Sequence, residues 1–245
     1  MKDHFSQDAA RYAQFRPQYP LALAIYLSGL ISERRAAWDC GTGNGQFAAL
    51  LADYFDDVFA TDISAAQIAN AVRKANISYS IQPAETTGFP DRQFTLVTVA
   101  QAIHWFDFTA FYREVKRVLQ PGGIIAVIGY GLLQTEPHLQ QAIDHLYKNT
   151  LGSYWHAERR YIDEAYRTIP FPFTEMEAPA FDMYFEWTHE QLIGYLNTWS
   201  AVKQYTRIHG HNPVEDFEKE LPALWKNDTV QTFRFPLLLR IGRNQ

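Results

Sequence analysis

Cysteine is nearly absent from this chain. Cys40 is the only one in 245 residues, which excludes an internal disulfide framework and suits a reducing compartment. Long apolar runs are missing as well: nothing approaches the roughly 18 consecutive apolar residues of a membrane-spanning helix. The opening MKDHFSQDAARYAQFRP has no apolar core of a secretion signal. A cytoplasmic protein without a membrane partner is therefore expected. There is no basic surplus either, with 22 Lys and Arg against 27 Asp and Glu, and no cationic run to mark a nucleic-acid footprint. Repeats and low-complexity segments are lacking, so the length reads as one domain with a sizeable core. His209 and His211 form an H-x-H pair, but no carboxylate or cysteine framework accompanies it, and no metal site is expected.

Glycine is concentrated in one place. Residues 36–46, AAWDCGTGNGQ, run from a short apolar segment through an acid to Gly41, Gly43 and Gly45 at alternate positions. This reads as strand, tight turn and helix start, because Phe47, Leu50, Leu51, Tyr54 and Phe55 follow at helical spacing. Backbone without Cβ atoms can bend sharply and let a ligand lie against it. The dinucleotide fingerprint G-x-G-x-x-G would need a third glycine where Gln46 stands. Cys40, beside the turn, reads as a small buried residue.

Residues 58–63 form a second strand ending in Asp62, about 20 residues beyond the turn. There a carboxylate either accepts two hydrogen bonds from a ribose diol or charges the start of the helix that the Ser64–Gln67 capping box opens. Residues 77–81 and 94–100 supply strands three and four. The fourth runs out into Gln101, His104 and Trp105, and ligands in open parallel sheets sit at such strand ends. His104 thus stands as a general base or as a group that orients a substrate. Asp107 or Thr109 caps the next helix, whose Arg113, Glu114, Lys116 and Arg117 read as a solvated face. Beyond residue 130, aromatics, prolines and charges crowd residues 154–181. Arg159 and Arg160 there read as a surface pair or as a site for an acidic substrate. A helix from Thr188 through Val202, another from Asn212 and a last strand over residues 230–241 follow, with a proline in that strand marking a bulge or unpaired position.

The D-x-G-x-G-x-G of residues 39–45 resembles motif I of the class I S-adenosylmethionine-dependent methyltransferases. Two further segments are similar to that family: Ala84-Glu85, three residues, then Phe89-Pro90-Asp91, two residues, then Phe94; and the L-x-P-G-G of residues 119–123. The resemblance implies a doubly wound α/β fold, a mostly parallel seven-stranded Rossmann-like sheet. Within a single domain it implies a cofactor core over 36–130, a helical substrate cap with an edge strand over 131–228 and the last strand over 229–245; residues 1–20, dotted with aromatics, read as an N-terminal lid over the cofactor or as an arm pinned by burial of those aromatics. It also implies methyl transfer from S-adenosylmethionine to a small molecule, a carboxylic acid among the options, leaving S-adenosylhomocysteine. Carried over residue by residue, Asp39, Gly41, Gly43 and Gly45 hold the methionine part, Asp62 the ribose, and Ile63, Ala84 and Glu85 the adenine. Ala100 and Gln101 line the region near sulfur, His104 and Trp105 face the acceptor, and Arg16 and Tyr19 close from the N-terminal arm. Pro83 departs from the pattern, since many relatives carry an acid there. The C-terminal part resembles bacterial enzymes grouped near trans-aconitate methyltransferase. Two alternatives stay open: a binding or regulatory module that has lost catalysis, and a nicotinamide oxidoreductase, which Gln46 and the lack of a Tyr-x-x-x-Lys pair disfavour. The choice between monomer and homodimer stays open too.

Overall fold

The computed structural model describes residues 15–225 and 230–245. Most of the N-terminal segment expected over 1–20 therefore lies outside the described residues. Among these residues, eight strands form one sheet: β1 (Ala36–Cys40), β2 (Asp57–Asp62), β3 (Ile77–Ile81), β4 (Phe94–Ala100), β5 (Leu119–Tyr130), β6 (Thr174–Met176), β7 (Asp182–Trp187) and β8 (Gln231–Arg243). Their order is β3-β2-β1-β4-β5-β8-β6, with β7 also on β8. β1 to β5 are mutually parallel and β8 is antiparallel to its neighbours. The chain winds outward from β1 to β3 and then restarts at β4 on the other side of β1. That reversal opens a crevice at the carboxyl ends of β1 and β4.

Alternation along the strands builds a core on each face. Ala37, Leu96 and Ile124 pack with helices α1 (Leu21–Gly29) and α2 (Gln46–Leu51), whereas Trp38, Val97 and Ile125 pack with α4 (Phe108–Val118). Between them, α3 (Ala65–Ala69) follows β2. A third core lies in the insert after β5, where α5 (Pro137–His145), α7 (His189–Asn197), α8 (Ser200–His209) and α9 (Pro213–Leu224) gather around Trp187, Tyr195, Trp199 and Phe235. A short α6 (Arg160–Asp163) joins this cap to β6.

Several local readings change. β6 adds a short eighth strand to the seven-stranded plan, sharing with β7 the edge of β8 that faces away from β5. The helix opened by the Ser64–Gln67 capping box is short: α3 stops at Ala69, and beyond it Val72 N donates to Asn44 O at 3.0 Å and so braces the glycine turn. The single helix expected across residues 188–202 is two: Trp199 is extended and buried, and it packs on Tyr147 and Trp155. Pro236 is no bulge; it pairs with Asp182 and its carbonyl accepts from Gly131 N. Glu114 is not on a solvated face. Its carboxylate is buried, accepts from Thr87 N and Oγ1, and pairs with Arg117, whose guanidinium also reaches Phe89 O and Asp91. That cluster pins the loop entering β4.

Candidate active site

The turn after β1 folds as its composition dictates. Gly41, Gly43 and Gly45 all have positive φ, at 66°, 56° and 77°, a region that L side chains rarely enter. Their surroundings differ. A Cβ on Gly41 would sit 2.6 Å from Ala102 Cβ, and one on Gly45 would meet the Tyr79 ring, but one on Gly43 would find nothing nearer than Gln67 Oε1 at 4.0 Å. Gly43 therefore faces open space, and Gly45 is a glycine for packing.

Asp62 closes the turn from the neighbouring strand. Its Oδ2 accepts from Gly43 N at 2.9 Å and its Oδ1 from Ser64 N at 2.8 Å. Asp62 also borders a hollow of about 840 Å³ including its open mouth, and each carboxylate oxygen can accept more than one hydrogen bond. Gly41, Gly43, Asp62 and Ile63 form one side of it; Ala100, Gln101 and Trp105 form another; Arg16, Tyr19 and Tyr130 cover it. Gln67 also lines it, and its Oε1 is buried with no hydrogen-bond partner among the described residues. Sequence reasoning had seen Gln67 only as half of a capping box.

Besides Gly45, three expected contacts lie elsewhere. Asp39 is fully buried beneath the turn, where Thr42 Oγ1 donates to Oδ2 at 2.5 Å and Thr98 Oγ1 to Oδ1 at 2.8 Å, so it shapes the turn and does not border the hollow. Ala84 is packed in the core under β4, and Glu85 accepts from Asp107 N at 3.2 Å. Neither lines the hollow.

Burial pushes Asp39 up to about 6, against the pull of its two threonine hydroxyls. Its folded form thus holds a proton more tightly than the unfolded chain. Stability is greatest at acid pH with respect to this group, declines as pH rises from about 4 to about 6, and is then lower by on the order of 3 kcal/mol. Asp39→Asn is expected to remove that decline, read as the difference between wild-type and variant urea midpoints across this pH range. An unchanged slope would contradict the assignment.

A second hollow, of about 500 Å³ including its open mouth, adjoins the first and shares Arg16, Gln101 and Trp105 with it. His104, Trp155, His156, Arg159 and Ser200 complete much of its wall. Arg16 bridges the cover: its guanidinium donates to Tyr130 Oη at 3.1 Å and Thr198 O at 3.3 Å and lies over the Tyr195 ring. Arg159 lies over Trp155 and Tyr147, and its Nε donates to Tyr147 Oη at 2.8 Å and stands 3.7 Å from Asp163 Oδ1; its Nη atoms have no hydrogen-bond partner among the described residues. Arg160 is turned away, bonding Tyr161 Oη at the surface. His104 is buried, and burial together with the Arg159 charge lowers it to about 3. It is neutral at physiological pH and a weak base, which suits it to orienting a substrate more than to removing a proton.

A sheet wound both ways from β1, with a hollow at the reversal point between a glycine turn and a strand-end acid, defines a Rossmann-like α/β methyltransferase fold. Residues 38–127 match the family described as a methyltransferase domain. The chain is 31% identical over 251 residues to a protein of Dictyostelium discoideum assigned as a methyltransferase, covering 99% of this chain and 95% of that one. A methyltransferase-like protein of Schizosaccharomyces pombe is 23% identical over 240 residues, covering 93% and 90%. The solved structure of a protein from Anaeromyxobacter dehalogenans, assigned as a type II methyltransferase, superimposes with a TM-score of 0.86 at 39% identity, covering 94% of this chain and 98% of that one. The chain belongs to the class I S-adenosylmethionine-dependent methyltransferases, and S-adenosylmethionine is its methyl donor. The oxidoreductase alternative falls with that membership. Among the described residues, no helix is long and apolar enough to cross a membrane.

Proposed function

We infer that this enzyme methylates a small molecule carrying a carboxylate, bound in the hollow beside the donor. One observation carries the reading: the Nη groups of Arg159 lack hydrogen-bond partners among the described residues, in a pocket that shares three residues with the larger hollow. A guanidinium presents parallel N–H groups that match a carboxylate in bidentate fashion. Trp155 and Trp105 add flat apolar surface, as small-ligand sites require. The C-terminal resemblance to the trans-aconitate methyltransferase group belongs to the same reading.

The larger hollow suits the donor. Gly43 leaves room for ligand against the backbone, Asp62 stands at the strand end beside it where a carboxylate suits a ribose diol, and Gln67 Oε1 lacks a partner that a polar ligand group supplies. Ile63 then meets the adenine, and Ala100 and Gln101 lie toward the sulfur. Ala84 and Glu85 act at a distance, by holding the loop before β4. The bound donor supplies a methyl group on a positively charged sulfur, an excellent leaving group. The protein's task is to hold the acceptor oxygen in line with it, a positioning effect that accounts for much of the acceleration. A carboxylate needs no base: its oxygen takes the methyl, sulfur keeps the bonding electron pair, and no proton moves. Arg16 and Tyr19 shield the junction of the two hollows from water.

Release of S-adenosylhomocysteine over a panel of carboxylic acids, phenols and amines tests the reading. Turnover is expected with acids; turnover confined to phenols or amines would overturn it.

A further inference from the structure

We propose that Tyr166 is a positioning residue that locks His104 with its hydrogen on Nδ1, so that Nε2 offers a lone pair to an O–H or N–H group on the acceptor. This deepens the reading above and rests on it: the acceptor is an acid that also carries a protic substituent.

The reasoning starts from a group whose role cannot vary. The Tyr130 backbone carbonyl only accepts, and Gln101 Nε2 donates to it at 3.1 Å. That fixes the Gln101 amide with Oε1 pointing away, where Tyr166 Oη lies at 3.2 Å. An amide oxygen cannot donate, so the single hydroxyl proton of Tyr166 goes to Gln101. His104 Nδ1 sits 3.2 Å from the same hydroxyl oxygen, and with that proton committed, Nδ1 must be the donor. A neutral imidazole has one hydrogen, and His104 is neutral at physiological pH. Nε2 therefore keeps its lone pair, with no partner among the described residues, on the ring that lines the acceptor hollow with Arg159.

The chain is built for this arrangement. Gln101 and Tyr166 are both non-glycine residues at positive φ, 53° and 59°, a costly conformation that persists where surroundings impose it. Tyr166 is fully buried and comes from the insert, between α6 and β6. Its ring occupies the space that a Cβ on Gly129 would fill, 2.6 Å from that position. Arg240 Nη1 holds the following turn by donating to the carbonyls of Tyr166 and Ile169 at 3.0 and 2.7 Å.

Long-range proton–nitrogen NMR on histidine-labelled protein reads the tautomer directly, with the His104 signals identified by their loss in His104→Asn. Wild type is expected to show a protonated Nδ1 and a bare Nε2. Gln101→Leu removes the acceptor for the Tyr166 proton, which then turns to Nδ1, so the majority tautomer is expected to reverse; Tyr166→Phe is expected to give a mixture. A protonated Nε2 in wild type overturns the proposal, as does an unchanged tautomer in folded Gln101→Leu. The wild-type measurement decides alone if the variants fail to fold. Neither donor nor acceptor enters the sample, so a contrary tautomer leaves carboxylate methylation standing. Inactivity with every acid leaves the tautomer result standing.

Discussion

Asp62→Ala is expected to weaken binding of S-adenosylhomocysteine by at least about 100-fold in calorimetry. A hydrogen bond to a charged group is worth roughly 1.5–3 kcal/mol, so losing two to the ribose diol costs about 3 kcal/mol or more. The substitution also frees Gly43 N and Ser64 N, which Asp62 now holds at 2.9 and 2.8 Å, and so loosens the turn on which the methionine part lies. Asp62→Asn keeps one acceptor oxygen and is expected to lose less. Equal affinity in wild type and Asp62→Ala would remove Asp62 from the donor site.

Arg159→Met is expected to raise KM for the acidic acceptor on the order of 10 to 100-fold, the loss of one charge-assisted bidentate contact, while KM for the donor stays near its wild-type value. Methionine keeps an apolar stem against Trp155 and removes the charge. A selective rise in one KM is the signature of lost ground-state binding of that substrate. Arg160→Met supplies the control. Arg160 bonds Tyr161 at the surface and does not line the acceptor hollow, so little change is expected. Parallel effects of the two substitutions would mean a general charge effect, and no effect of either would separate the acceptor from Arg159.

The contrast between these two arginines marks how far the sequence could be read. Gly41, Gly43, Asp62 and the outflow of β4 through Gln101 to Trp105 were legible because local rules govern them: a tight turn at positive φ favours glycine, an acid suits the start of the helix that follows a strand, and periodicity gives the strands between. Arg159 and Arg160 are adjacent, on a short irregular segment without periodicity, and only tertiary packing against Tyr147 and Trp155 decides which one enters the pocket. Tyr166 carried no signal for the same reason, since it reaches Gln101 and His104 across more than sixty residues of chain. Asp39 misled in the opposite way. Its motif position pointed to the ligand, whereas Thr42 and Thr98 take its oxygens in the core. The break at Trp199 was hidden because its apolar spacing continues the helical pattern, and burial against two aromatic rings overrides it.

A crystal structure of the protein with S-adenosylhomocysteine tests the central claim most directly. The ribose hydroxyls are expected within hydrogen-bond distance of the Asp62 carboxylate, the homocysteine part along Gly41 and Gly43, and the sulfur at the boundary of the two hollows beside Gln101 and Trp105. A ligand bound away from Asp62, or one whose sulfur points away from the pocket of His104 and Arg159, would contradict the account.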